Sequence, residues 1–324
     1  MIAVTGAAGF IGFHVTQRLL ARGEDVLGID NLNEYYDPAL KHSRLAILRR
    51  SPRFRFEQAD VADRDGFPRI LERERPSRIV HLAAQAGVRY SLEAPYAYTD
   101  SNVTGFLNVL EGVRRIGIEH LVYASSSSVY GTNAKQPFSE EDATERPVSL
   151  YAATKKANEL MAHSYAHLFG IPSTGLRFFT VYGPWGRPDM ALFSFTQRIL
   201  AGQSIPVFND GKMIRDFTYI DDVTEAVLRI LDAPPAGPLH DVFNIGNGAP
   251  TQLLRYIEVL EDALGMRAKK EMLPLQPGDV LVTNADVSKL ARVFGWRPST
   301  PIETGVRRFV DWYVEYYNKK VVTS

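Results

Sequence analysis

A doubly wound parallel α/β sheet followed by a smaller, mixed α/β portion is the fold this sequence predicts, on three observations. Short β-branched runs alternate with helix-length segments through the first half, a rhythm that pairs parallel strands through crossover helices. A glycine-rich turn joins the first strand to the first helix. Beyond about residue 180 the alternation gives way to loops punctuated by proline and glycine, such as Tyr182-Gly183-Pro184-Trp185-Gly186.

Strands are expected at residues 2–5, 25–29, 54–56, 78–82, 121–124 and 173–178, where apolar and β-branched residues cluster. The intervening segments 13–22, 67–75, 103–116 and 152–169 carry apolar residues at a spacing near 3.6 and are expected as helices. Together they define a first domain over 1–180. Asp241-Val242-Phe243-Asn244-Ile245 reads as one more strand of that sheet, so 217–246 is expected to rejoin the first domain and the second, 181–324, is interleaved with it. Tyr313, Tyr316 and Tyr317 fall on one face of a terminal helix packing inward.

Composition limits the function classes. With 324 residues, 45% hydrophobic and 23% charged, the chain has material for a large core. Thirty-seven Lys+Arg balance 37 Asp+Glu, which leaves no global field for nucleic acid or an anionic membrane, so an anionic ligand must be recognised locally. The absence of cysteine removes disulfides, thiolate nucleophiles and Cys-based metal sites. No apolar run reaches the roughly 18 residues of a membrane helix and the first residues lack a cationic leader, so a cytoplasmic protein is expected. His163 and His167 lie on a helix without a neighbouring carboxylate motif and His81 lies in a strand; they are expected as core or surface residues, with no metal site.

Gly6, Gly9 and Gly12 follow a strand and open an amphipathic helix. Glycines there permit a tight turn and close approach to a pyrophosphate, whose charge the helix N-terminus stabilises. Asp30 ends the second strand 24 positions after Gly6, where a carboxylate accepts bonds from ribose hydroxyls and repels a 2′-phosphate, favouring NAD over NADP. Taken alone, the glycines also describe a closely packed turn and Asp30 a strand-end cap. Tyr151 and Lys155, at i and i+4, share a helix face. By itself that is an ordinary surface pair; behind a dinucleotide fold, the ammonium and a nicotinamide cation stabilise a phenolate and make Tyr151 a general base. Ser125-Ser126-Ser127-Ser128 follow the strand 121–124, at the strand end where open α/β sheets place ligands.

Thr5-Gly6-Ala7-Ala8-Gly9-Phe10-Ile11-Gly12, the serine run before Val129-Tyr130-Gly131 and Tyr151-x-x-x-Lys155 together resemble the extended short-chain dehydrogenase/reductase superfamily, with its Rossmann-like fold, and specifically its nucleotide-sugar epimerases and dehydratases. The resemblance covers nearly the whole chain. Ala84-Gln85-Ala86-Gly87-Val88-Arg89-Tyr90-Ser91, Gly183-Pro184-Trp185-Gly186-Arg187-Pro188-Asp189-Met190-Ala191-Leu192-Phe193, Arg215-Asp216-Phe217-Thr218-Tyr219-Ile220-Asp221-Asp222 and Gln276-Pro277-Gly278-Asp279-Val280 further resemble the UDP-glucuronate 4-epimerase subgroup.

The resemblance implies a tightly bound NAD held by Gly6, Ala8, Gly9, Phe10, Ile11, Gly12, Asp30 and Asn31, with Asp60 and Val61 at the adenine, Leu82, Ala83 and Ala84 along the pyrophosphate, and Asn102, Tyr151 and Lys155. It implies that Tyr151 removes the sugar 4-hydroxyl proton, that Ser126 bonds the same oxygen and that Lys155 grips the nicotinamide ribose. The resulting 4-keto sugar turns over and is reduced on its other face, converting UDP-glucuronate to UDP-galacturonate reversibly. Ser127, Ser128, Thr180 and Arg187 are then expected near the uronate, Arg89 and Arg215 near phosphate, and Met190, Phe193, Val207, Phe208, Asn209, Gln276 and Asp279 around the rest of the nucleotide sugar. At Thr180 the UDP-galactose type of epimerase has asparagine, and Gln276 falls where relatives often carry arginine.

Dehydratases and decarboxylases of the superfamily typically carry an acidic residue just before Val-Tyr-Gly, whereas this chain has Ser128 there. Non-catalytic NAD sensors usually lose the tyrosine–lysine pair, which is intact. A homodimer is implied, through the helix after Asn102 and the helix bearing Tyr151.

Overall fold

A computed structural model describes residues 1–276 and 279–317. In chain order, β1 (Ile2–Thr5), α1 (Phe10–Ala21), β2 (Val26–Asp30), α2 (Pro38–Leu48), β3 (Phe54–Gln58), α3 (Gly66–Glu74), β4 (Arg78–His81), β5 (His120–Ser126) and β6 (Ser173–Phe178) build the first half of the chain. With the strand His240–Ile245 they form a seven-stranded sheet ordered His240–Ile245, β6, β5, β4, β1, β2, β3. Every neighbouring pair from β6 to β3 is parallel. All four residues of β1 are buried, as expected of a central strand covered on both faces.

The apolar face of the helix Gly105–Ile116 shows how sequence spacing becomes packing. Phe106, Val109, Leu110 and Val113 recur at helical intervals and meet Phe67, Ile70 and Leu71 of α3 and Ala3, Ile79 and Leu121 of the sheet in one cluster. Burying each large side chain of this kind contributes roughly 1.5–3 kcal/mol. Chain order reverses between β1 and β4, since β2 and β3 extend the sheet to one side and β5 and β6 to the other. A crevice outside the carboxyl ends of strands at such a reversal is where open α/β sheets bind ligands.

Several boundaries differ from the sequence reading by one to three residues, and three of the differences bear on the site. The ladder with β6 continues to Ser126 opposite Phe178, so Ser125 and Ser126 are strand residues, and Ser127 opens a 3-10 turn. α1 starts at Phe10 because Gly9, in extended conformation, already serves as its N-cap. Thr99–Thr104 wind as a π-helical turn before the helix Gly105–Ile116.

The chain divides into two compact units: Met1–Ala134, Glu140–Phe178 and Thr224–Asn244 in the first, Lys135–Ser139, Phe179–Val223 and the chain from Ile245 onward in the second. The second unit contains short two-stranded pairings: Thr180–Tyr182 with Phe217–Tyr219 and Ser204–Phe208 with Lys269–Leu273 in parallel, and Ile214–Arg215 with Thr251–Gln252 antiparallel. Its helix Ile302–Tyr317 directs Phe309, Trp312 and Tyr313 onto Phe193, while Tyr316 lies edge-on to Trp185 at 5.0 Å. Tyr317 also packs on Phe193.

Candidate active site

The glycine turn is shaped by contacts that admit no side chain. Gly6 has φ +72, and a Cβ there would lie 2.8 Å from the Ala83 nitrogen; at Gly12 it would lie 2.0 Å from the Gly6 carbonyl oxygen. The turn therefore packs against the segment after β4 and against the start of α1, whose first-turn N–H groups have no intrahelical acceptor. Leu82 N–H bonds the Thr5 carbonyl at 3.1 Å and Ala83 N–H bonds Thr5 Oγ1 at 3.2 Å, which fixes the Leu82–Ala84 wall. Asp30 is buried and accepts from Ala8 N at 3.1 Å with one oxygen and from Leu32 N at 2.8 Å with the other. Each oxygen keeps a lone pair, enough for two ribose hydroxyls. Asn31 Nδ2 donates to Asp60 at 2.9 Å, and the Val61 carbonyl accepts from Asn108 at 2.8 Å. Ala8 and Phe10 are buried beside the turn, and Ile11 is half-buried. A glycine turn packed too closely for side chains, the start of α1 beside it and a carboxylate with spare acceptors together fit NAD.

One strand away, the long helix Leu150–Phe169 lies along the carboxyl end of β5. Ser149 caps it by accepting from Ala152 N, which sets Tyr151 in the first turn. Lys155, one turn on, is buried and donates from Nζ to the Ala124 carbonyl at 3.0 Å. Burial pushes its ammonium down to about 8. Ser126 Oγ accepts from Ser128 N at 3.1 Å, so its own proton remains to be donated. The Tyr151 ring stands edge-on to Tyr98 at 6.0 Å. Asn102 is buried and spends its amide within the protein: it brackets Gln85, accepting from N–H at 2.9 Å and donating to the carbonyl at 3.0 Å, and reaches Thr154. His81 bonds Thr5 Oγ1 at 2.8 Å, and burial, aided by the Lys155 charge, lowers it to about 3, which keeps it neutral. Among the described residues no group of three His, Cys, Asp or Glu is placed to hold a metal.

Residues 2–246 match the family model described as NAD dependent epimerase/dehydratase family. The chain belongs to this family. A probable UDP-glucuronate 4-epimerase of Rhizobium meliloti is 48% identical, over 99% of this chain and 98% of that protein. The crystal structure of a Bacillus cereus UDP-glucuronic acid 4-epimerase in complex with UDP-glucuronic acid and NAD superposes with a TM-score of 0.91 at 34% identity, covering 98% of this chain and 99% of that one. A Thermotoga maritima UDP-glucose 4-epimerase with UDP-glucose reaches 0.88 at 30% identity, with 98% and 99% covered. The epimerase fold thus extends to enzymes of both acidic and neutral sugars, and the sugar is read from side chains.

The remaining epimerase candidates are spread over both units. In the first, Ser127 and Ser128 are half-buried and Arg89 is exposed. In the second, Thr180 N bonds the Asp216 carbonyl at 3.1 Å. Arg187 is held side-on by Asp189, Nε to Oδ1 at 3.0 Å and an Nη to Oδ2 at 2.5 Å, and Met190 caps the helix Ala191–Leu200. Phe193 and Val207 are buried; the Phe193 ring is spent on the terminal helix, so Val207 and Phe193 offer a ligand little beyond backbone. Asn209 has φ +52 in the turn after Phe208. Arg215 donates to the carbonyls of Ile214 at 3.0 Å and Leu281 at 3.1 Å. Gln276 Oε1 is buried with no hydrogen-bond partner among the described residues, and Asp279 N bonds the Gln276 carbonyl at 3.2 Å. Pro277 and Gly278 of that motif lie outside the described residues.

Sequence reasoning missed the groups that hold these residues in place. Glu159 takes a two-pronged bond from Arg177 at 2.8 and 2.9 Å and another from Ser125 at 2.7 Å, tying the long helix to β5 and β6. Burial opposes ionisation of Glu159, yet the Arg177 guanidinium and the Ser125 hydroxyl hold it below the usual glutamate range. Arg44, fully buried, donates to the Ala8 carbonyl at 2.8 Å and to the Tyr36 hydroxyl at 2.8 Å. A signal for Arg44 was present, since it shares the buried face of α2 with Leu40, Leu45 and Leu48.

Proposed function

We propose that this protein catalyses the reversible C4 epimerisation of UDP-glucuronate to UDP-galacturonate, with the first unit as NAD-binding domain and the second as nucleotide-sugar-binding domain. The observation that carries the reading is a glycine turn beside the Asp30 carboxylate in the same unit as a tyrosine–lysine–serine set whose neighbouring positions 127 and 128 are hydroxyls. NAD bound at that turn supplies a reversible two-electron acceptor for C4. Tyr151 takes the proton of the sugar 4-hydroxyl and returns it to the same oxygen once C4 has been reduced from its opposite face. Lys155 stabilises the phenolate by its charge, and the free Ser126 proton bonds O4 in both directions. A 4-keto uronate is a β-keto acid prone to lose carbon dioxide; Ser127 and Ser128 bond its carboxylate and hold it away from the alignment that loss requires, and neither supplies an acid for dehydration.

Arg215 suits the diphosphate because a guanidinium offers fixed paired donors. The unpartnered Gln276 acceptor suits the N–H of a uracil. Arg89, Thr180, Arg187, Met190, Phe193, Val207, Phe208, Asn209 and Asp279 complete the proposed substrate contacts, and Asn102 serves the cofactor by pinning Gln85. The full-length likeness to a probable UDP-glucuronate 4-epimerase favours the uronate over a neutral sugar. No described helix is long and apolar enough to cross a membrane; the reading places the enzyme in the cytoplasm. It also makes it a homodimer, in keeping with the exposed Leu107 of the helix Gly105–Ile116 and Leu160 of the long helix.

The test is turnover of UDP-glucuronate deuterated at C4. Product that retains the deuterium at C4 supports oxidation and return at the same carbon; wash-out into solvent, or loss of the C6 carboxylate, contradicts it.

A further inference from the structure

Two loops leave the carboxyl ends of the strands on either side of β1 and meet. β2 and β4 flank β1 in a parallel arrangement, so the segments after Asp30 and after His81 rise from the same edge as the glycine turn, one on each side of it. Tyr35 from the first and Tyr90 from the second are in ring contact, with centroids 4.8 Å apart. Both ends of this span are anchored. On one side Arg44 ties Tyr36 to the floor of the turn through the Ala8 carbonyl, Lys41 bonds the Asn33 carbonyl at 2.8 Å and its side-chain oxygen at 2.7 Å, and the Tyr36 ring adjoins Tyr35 at 6.2 Å. On the other side Asn102 brackets Gln85, and the buried Tyr98 donates its hydroxyl to the carbonyls of Gly87 and Ala86. Tyr90 adjoins Tyr98 at 6.3 Å, and Tyr98 adjoins Tyr151 at 6.0 Å. An unbroken series of tyrosine rings thus runs from the Asp30 end of the cradle to the proposed catalytic base.

We propose that Tyr35 and Tyr90 form an aromatic bridge over the dinucleotide cradle that retains the bound cofactor. This rests on the NAD reading above and supplies a physical reason for retention. The glycine turn is the floor, Asp30 and Leu82–Ala84 are the walls, and a dinucleotide on the floor leaves only after the two rings part. Retention matters for a reaction with no net oxidation, because a cofactor lost at the reduced stage strands a keto sugar.

The experiment follows release of radiolabelled NAD from the loaded protein after dilution into excess unlabelled NAD. Tyr35→Ala and Tyr90→Ala are each expected to release label about fivefold faster than wild type, the scale of one aromatic pair. The double variant should be little faster than the quicker single, since both remove the same contact. Tyr35→Phe and Tyr90→Phe should release at the wild-type rate, and so should Tyr96→Ala, an exposed ring outside the bridge. Because the chain has no cysteine, Tyr35→Cys with Tyr90→Cys can be joined by a short thiol cross-linker, and closing the bridge in this way should slow release below wild type, which misfolding cannot imitate. Release within twofold of wild type in both alanine variants, or cross-linking without effect, overturns the bridge. Failure of the wild type to bind labelled NAD at all overturns the NAD reading itself.

Discussion

Glu159 in the first unit and Asp216 in the second are both buried carboxylates that tie segments together, and they do so by opposite electrostatics. Glu159 faces a full positive charge in Arg177 and is held in its ionised form. Asp216 receives N–H bonds from Asn247 at 2.7 Å, Gly248 at 2.9 Å and Ala285 at 3.0 Å; burial raises its carboxyl above the usual range, and those bonds only partly offset it. In the first unit Ser125, Glu159 and Arg177 are paired across β5, the long helix and β6, and Ser126, Tyr151 and Lys155 stand on two of those elements. The second unit threads short pairings through one carboxylate and a cluster of aromatic rings. Under the proposed roles, Ser126, Tyr151 and Lys155 stand on β5 and the long helix, whereas Arg187 stands in a loop and Arg215 in a two-residue strand.

The sharpest division of labour is tested by Tyr151→Phe, expected to lower turnover by about 10²–10⁴ while bound NAD, measured by absorbance after denaturation, is unchanged. Next in size, Arg177→Met leaves the buried Glu159 with Lys156, at 3.3 Å, as its remaining charge partner, a loss of up to about 3–5 kcal/mol that hydrogen exchange should locate in β5 and β6; equal loss in both units would dissolve the comparison. Lys155 gives a pH signature: since its ammonium is lost above about 8, turnover should fall by about tenfold per pH unit beyond that point, and a flat profile to pH 9.5 or so would remove the lysine charge from the mechanism. Asp216→Asn keeps the shape but turns a donor towards backbone N–H groups, costing about 1–3 kcal/mol, with exchange quickened at Asn247, Gly248 and Ala285 and not in β5.

The smallest effect has opposite signs in the two units. Glu159, with its folded pKa depressed, contributes stability that is present above the ordinary glutamate value of about 4.3 and is lost as pH falls below it. Asp216, with its folded pKa raised, keeps a proton in the native state that the unfolded chain has released, so its contribution weakens as pH rises from about 3.9 through the folded value. Hydrogen exchange should therefore show protection around Glu159 falling on acidification below about pH 4.3, and protection around Asp216 falling as pH rises above about 3.9. Parallel changes would mean the two carboxylates are not governed by these environments.

Much of the frame was legible in the sequence because its signals are local. Gly6, Gly9, Gly12 and the β-branched runs report backbone geometry directly, and the strand ending at Asp30 places a carboxylate at the cradle without reference to the rest of the chain. Tyr151 and Lys155 were legible as a pair because helical spacing puts i and i+4 on one face. What escaped depends on contacts across long stretches of chain. Ser125 meets Glu159 and Arg177 through three separate elements, Tyr35 meets Tyr90 across 55 positions, and Asp216 gathers groups from 247 to 285; nothing local marks them. The end of β5 was misjudged because serine has little strand preference of its own, and the ladder with β6 carries the strand through Ser125 and Ser126.

The most direct test of the account is proton NMR of the purified protein with UDP-glucuronate and no added cofactor, following the anomeric signals over time. The account predicts UDP-galacturonate growing to a constant ratio with its precursor, which requires both C4 inversion and NAD retained from purification. Formation of UDP-xylose or a 4-keto pentose would contradict the roles given to Ser127 and Ser128, and an unchanged spectrum, before and after adding NAD, would contradict the epimerase reading itself.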